Sequence, residues 1–242
     1  MIVFVHGVPE TQAIWDQVRS ELGLESMALS LPGFGIARPA SFAATKDDYV
    51  NWLLAELARI DGPIDLVGHD WGATLTNRVV TAHDDQIRSW VTDGLMHPEY
   101  VWHEFAKIWQ TPGEGEAFWS QMLAAPLEQK AAIFEGYGVP HDAALEMSSR
   151  IDETMASCIL DLYRSAMPNP FASWSYPMQP VAAPGLVLLA SEESFGNPAL
   201  THEAAVALGA RVQVLEGVGH WWALQAPAQG AAVLREFFES LD

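Results

Sequence analysis

A single cysteine in 242 residues leaves no material for an intrachain disulfide. Such thiol poverty fits a reducing compartment, and the cytoplasm is the expected location. Cys158 has no C-x-x-C partner and reads as a small buried residue. Basic side chains are also scarce: 12 Lys and Arg stand against 31 Asp and Glu, a net charge of -19. That surface repels phosphate, which argues against nucleic acid and anionic membranes as partners. No run approaches the ~20 apolar residues of a membrane span. The opening "MIVFVHG" is too short and lacks the basic flank of a signal segment. His83, His97, His103, His141 and His202 show no ligand spacing such as H-E-x-x-H, so neither metal nor cofactor is expected. Internal repeats and low-complexity tracts are missing too.

Apolar residues are plentiful at 50%, enough for one large core. Six short apolar runs ending in turn residues predict buried parallel strands: 2–6, 26–30, 64–68, 87–93, 185–190 and 211–216. Helical patterns lie between most of them, at 47–60 (stripe Tyr49, Leu53, Leu54, Leu57), 72–83 and 231–241. This alternation predicts an α/β fold, a doubly wound, mostly parallel sheet of about six strands. Between His97 and Gln179 the alternation stops. That stretch is rich in helix formers and aromatics, and Pro168, Pro170, Pro177 and Pro180 punctuate its end. A helical cap at 97–179 is expected over the carboxyl ends of the strands. The core domain would then be 1–96 and 180–242.

The stretch "LVGHDWGATL" (66–75) has the form Gly-x-nucleophile-x-Gly between a predicted strand and helix. That pattern marks a nucleophile elbow, here with Asp70 at its centre. The plain alternative is an Asp capping the helix. After the last strand comes "GVGHWWALQAP" (217–227), which would project His220 from a loop at the top of the sheet. An acid must orient that histidine. Glu193, after the fifth strand, is preferred, Asp93 at the end of strand 87–93 is its rival, and Glu192 is a register alternative. The loop "HGVPE" (6–10) follows the first strand, so the amides of Val8 and Trp71 are the expected oxyanion hole. His6 is read as shaping a turn and His69 as a variable elbow position.

Together "HGVPE", "LPGFG" (31–35), "GHDWGA" (68–73) and "GVGHWW" (217–222) resemble the epoxide hydrolase and haloalkane dehalogenase branch of the α/β hydrolases. In the cap, "LYRSA" (162–166) looks like the tyrosine-arginine segment of epoxide hydrolases, and "WQTPGEGE" (109–116) like their Phe-Gln-x-Pro-Gly segment. The resemblance implies that Tyr163 is a proton donor to the substrate oxygen. Trp71, Phe105, Trp109, Tyr163 and Trp221 are the candidate substrate contacts. Three departures stand out. Glu193 replaces the usual Asp. Phe105 falls where a second tyrosine is common, leaving Tyr100 or Tyr137 as substitutes. By this resemblance the sequence is expected to begin at the family's third strand, which would make 26–30 an edge. A monomer is favoured over a homodimer.

A carboxylate at the elbow suits attack on a saturated carbon that bears a leaving group. It is ionised at neutral pH and needs no activating base. The expected function is hydrolysis through a covalent Asp alkyl ester, with a small apolar organic substrate and water. Epoxide opening to a vicinal diol comes first. A dehalogenase releasing halide is the alternative, drawn from Trp71 and the cap tryptophans 102, 109 and 119. A non-enzymatic ligand sensor on the same fold is the third reading, disfavoured by the intact nucleophile and histidine.

Overall fold

The computed structural model describes residues 1–82, 86–94, 97–174 and 178–241. His83, Pro177 and the expected boundary at residue 96 lie outside them.

The chain opens with β1 (Ile2–Val5), a 3-10 turn (Gln12–Trp15), α1 (Asp16–Leu22), β2 (Ser26–Leu29) and α2 (Lys46–Leu57). Next come β3 (Ile64–Gly68), α3 (Trp71–Ala82) and β4 (Ile87–Thr92). Six helices follow without a strand among the described residues: α4 (Glu104–Gln110), α5 (Glu114–Ala124), α6 (Leu127–Glu135), α7 (His141–Arg150), α8 (Glu153–Ser165) and α9 (Pro170–Trp174). The chain closes with β5 (Gly185–Ala190), α10 (Pro198–Leu208), β6 (Arg211–Leu215), α11 (Trp222–Gln225) and α12 (Pro227–Glu239).

All six strands pair in parallel, in the order β2-β1-β3-β4-β5-β6. The four inner strands are almost wholly buried, as their continuous apolar runs predict. The edge strands are less buried than the inner ones, with β2 at the edge the sequence predicts. β2 is half-buried and β6 mostly exposed, because each has a neighbour on one side only. Helices α1 and α10 are additions to the sequence reading. Their end signals were present: α1 stops at Gly23 with φ 66°, and α10 starts at Asn197, whose side chain caps the amides of Ala199 and Leu200.

The strand order reverses around β1. β2 lies on one side and β3 on the other, and open α/β sheets bind ligands outside the carboxyl ends at such a point. Register sharpens the placement. Val5 pairs with Gly68 and Gly68 with Thr92, so the loops after β1, β3 and β4 emerge side by side.

Candidate active site

The elbow between β3 and α3 is tightly built. A Cβ on Gly68 would sit 2.3 Å from the Gly72 carbonyl oxygen, and one on Gly72 would sit 2.2 Å from that of Val5. Only glycine permits this approach of helix and strand. Between them Asp70 carries φ 52°, a conformation L residues rarely hold. Asp70 is therefore not an ordinary helix cap, and its side chain is thrust into the cleft above the sheet.

Three elements meet its carboxylate. The Val8 amide, from the loop after β1, donates to Asp70 Oδ1 at 2.9 Å. That loop is held from behind by His6, whose Nε2 accepts from the Leu31 amide at 3.1 Å. The ring is fully buried, and burial drops its pKa to about 4, so it stays neutral. From the loop after β6, His220 places Nε2 3.7 Å from Asp70 Oδ2. The peptide N–H of Trp71 follows the elbow at the first residue of α3.

Glu193 stands behind His220, its Oε2 3.0 Å from Nδ1. Its other oxygen accepts from the amides of Phe195 (2.6 Å) and Gly196 (3.2 Å). Burial opposes a charge on Glu193. The facing His220 cation, its hydrogen bond and the two amides outweigh that and hold the carboxyl at about 2. For His220 burial likewise acts against the charged form, and the Glu193 charge overcomes it and raises the pKa. Asp70 is pushed up to about 6, chiefly by burial, partly offset by the charge of His220.

Asp93, the rival acid, is committed elsewhere. Its Oδ1 accepts from the Asp70 amide at 3.1 Å. Its Oδ2 takes the Trp222 indole N–H at 2.6 Å and a short hydrogen bond from His69 Nδ1. The geometry thus joins Glu193 to His220 and Asp93 to the elbow. His69 is not the free elbow position the sequence suggested. It is buried, and its second nitrogen faces Glu10 Oε1 at 3.0 Å. Glu10 also accepts from the Trp221 indole at 2.5 Å and the Gly7 amide at 3.1 Å. Nothing in the sequence pairs these residues except that Glu10 closes the "HGVPE" loop. Glu10, His69 and His220 each offer a ligand atom within 4.8 Å of the others. Both His69 nitrogens and both Glu10 oxygens are already taken up by hydrogen bonds, so a cation would have to displace them.

Two cavities converge on Asp70 and His220. One is lined by Trp71, Tyr100, Trp102 and Thr201, the other by Phe105, Trp109, Phe118 and Trp221. Tyr163, His103 and Phe195 form part of the wall of both. All five candidate substrate contacts therefore line the site. Tyr163 sits on α8, which the Asp152 side chain caps by accepting from the Met155 amide. The phenol is 2% exposed, and its ring meets Trp71 edge-on with centroids 5.4 Å apart. Burial, then the charge of Asp70, pushes its pKa well above the usual tyrosine value, so the proton stays on. Of the suggested substitutes for a second tyrosine, Tyr100 lines the first cavity and Tyr137 the second.

A family model described as the alpha/beta hydrolase family matches residues 2–233, and the chain belongs to that family. It is 23% identical over 266 residues to epoxide hydrolase 3 of Xenopus tropicalis, covering 99% of this chain and 71% of that one. Among solved structures, an epoxide hydrolase from Vigna radiata superposes with a TM-score of 0.80 at 18% identity, covering 99% of this chain and 90% of that one. A haloalkane dehalogenase loop variant from Bradyrhizobium elkanii gives 0.77 at 17% identity, with 99% and 89% covered. At these identities the likeness establishes the fold, and the reaction has to be argued from the site.

Proposed function

We propose that this hydrolase opens small apolar epoxides to vicinal diols through an ester on Asp70. The observation that carries the reading is the buried Tyr163 hydroxyl in the wall of a cleft that also holds Asp70 and His220. An epoxide leaves as an alkoxide on the same molecule and needs a proton, which the Tyr163 phenol, kept protonated by its burial and by the charge of Asp70, can donate. Asp70 attacks one ring carbon in line and forms the ester. The helices between β4 and β5 act as a cap, and their aromatic faces take the apolar substituents.

In the second step His220 removes a proton from water, which attacks the Asp70 carbonyl carbon. Charge develops on the Asp70 oxygen, and the Val8 amide already points there. Such a donor contributes about 3 kcal/mol to acyl-type transition states. Ester formation also erases the Asp70 charge. That charge had helped to hold the proton on His220, so its loss favours the neutral base the second step requires.

Dehalogenation is the second reading. The Trp102 indole stacks on Trp71 with centroids 5.9 Å apart, and its Nε1 is buried without a hydrogen-bond partner among the described residues. A halide could accept from such a donor. The two readings separate on a small panel of epoxides and haloalkanes assayed for diol and halide. Diol without halide release supports the first, and halide release with no epoxide turnover replaces it with the second.

A further inference from the structure

Beneath the reacting groups lies a second histidine held by carboxylates, and the reaction as described makes no use of it. His69 immediately precedes Asp70 and is fully buried. Glu10 faces one ring nitrogen and Asp93 the other. Ionised carboxylates only accept, so a ring that satisfies both must donate from both nitrogens, and only the imidazolium does so. We propose that Glu10, His69 and Asp93 form a positioning clamp, a carboxylate–imidazolium–carboxylate bridge that fixes the elbow and its donor loop for ester formation and hydrolysis.

Each arm of the bridge ends on a part of the machinery. Asp93 Oδ1 holds the Asp70 amide, where the backbone carries φ 52°. Conformations of that kind persist only where surroundings over-determine them. Glu10 Oε2 holds the Gly7 amide, next to the Val8 amide that serves Asp70. A Cβ on Gly7 would come 2.3 Å from Asp70 Oδ1, so a small shift of this loop is felt at the nucleophile. The same two acids hold the indoles of Trp221 and Trp222, the residues directly after His220. The bridge thereby ties the loops after β1, β3, β4 and β6 into one rigid unit. Charge counts as well: the three groups carry -1 together, close to the nucleophile. Of the charged or titratable groups around Asp70, His220 and His69 favour its ionised form and Glu10 opposes it. The Tyr163 and Tyr100 phenols, the Asp93 carboxylate on the Asp70 amide and His103 in the same cleft are the other titratable groups facing it. Around His69 stand Glu10, Asp93, His220 and the neutral His6.

The proposal rests on the ester mechanism for its kinetic arm but not for its spectroscopic one. In the wild-type protein, nitrogen-15 NMR of His69 should show two ring N–H groups and no titration between about pH 5 and 9. A neutral ring, or a midpoint inside that range, overturns the clamp whatever the enzyme turns over. Glu10→Gln changes the trio from -1 to zero with little change of volume. With styrene oxide as probe, its single-turnover ester formation should slow by on the order of 10- to 100-fold at the pH plateau. The acid limb of that step, expected near the Asp70 value of about 6, should move to lower pH because a negative neighbour is gone. A purely structural Glu10 would lower the melting temperature and leave rate and limb in place, which contradicts the proposal. If wild-type protein turns over no epoxide, the ester reading fails, and the NMR result alone decides on the clamp.

Discussion

His220 Nε2 stands 3.7 Å from Asp70 Oδ2, too far for a hydrogen bond and too near for the two to act separately. The proposed ester mechanism uses the pair in sequence. Under it Asp70 attacks carbon through Oδ2, which no donor occupies among the described residues, and His220 is then close enough to direct water at the ester. Removing either group should therefore stop the reaction at a different point. His220→Gln should form the ester and accumulate it, seen as a mass increase equal to the substrate on the peptide containing Asp70. Asp70→Asn should show no adduct at short times. An adduct on another residue contradicts these roles.

The two acids beside the site should fail differently. In Glu193→Gln the new amide donates to His220 Nδ1 and leaves the proton on Nε2, the wrong tautomer for a base. Turnover should fall by a few orders of magnitude while the fold persists. Asp93→Asn places an amide where the Asp70 amide, Trp222 and His69 all donate. Breaking a buried charged pair costs on the order of 3–5 kcal/mol, so its melting temperature should drop by on the order of 10 °C. Calorimetry beside steady-state assays checks both. Wild-type turnover in Glu193→Gln would transfer the orienting role elsewhere.

Tyr163→Phe removes one hydroxyl and almost no volume. Under the epoxide reading the ring-opening step should slow by on the order of 10²-fold or more, as general acids contribute. Halide release, if the protein has it, should change little. Stopped-flow following of the active-site tryptophans measures the first step directly. Unchanged epoxide opening removes Tyr163 from the mechanism.

The pH profile follows from two groups with opposite requirements. Asp70 must be ionised to attack, so ester formation should fall as pH drops through about 6. His220 must be neutral to hydrolyse the ester, and there, with the Asp70 charge gone, the Glu193 charge is what still opposes burial and holds the proton on it. Both limits lie on the acid side, so activity should rise through neutrality toward mildly alkaline pH. Single-turnover rates measured separately for the two steps resolve the limits. A maximum below pH 6 contradicts the assignment.

Much of this was legible because local signals and global fold agree. The six strands appear within a residue or so of the apolar runs that predict them. Asp70 was marked by glycines at the two places where a Cβ cannot fit. The sequence could only prefer Glu193 over Asp93, since both follow strands whose carboxyl ends face the cleft. Only the register and the loop after β5 bring Glu193 to His220. The partnership of Glu10 with His69 was invisible for a similar reason. The two are 59 residues apart, and the parallel pairing of β1 with β3 makes them neighbours. The exposure of β6 also escaped notice, because its alternating Val212 and Val214 look like core from composition alone.

The central claim is that the oxygen delivered to product comes from Asp70. A single turnover with enzyme in excess, run in water labelled with oxygen-18, measures this directly. The ester mechanism predicts that the first diol formed carries no label, while the peptide containing Asp70 gains one labelled oxygen. Label in the diol with none on Asp70 would mean that water attacks the substrate itself, and the covalent mechanism would be wrong.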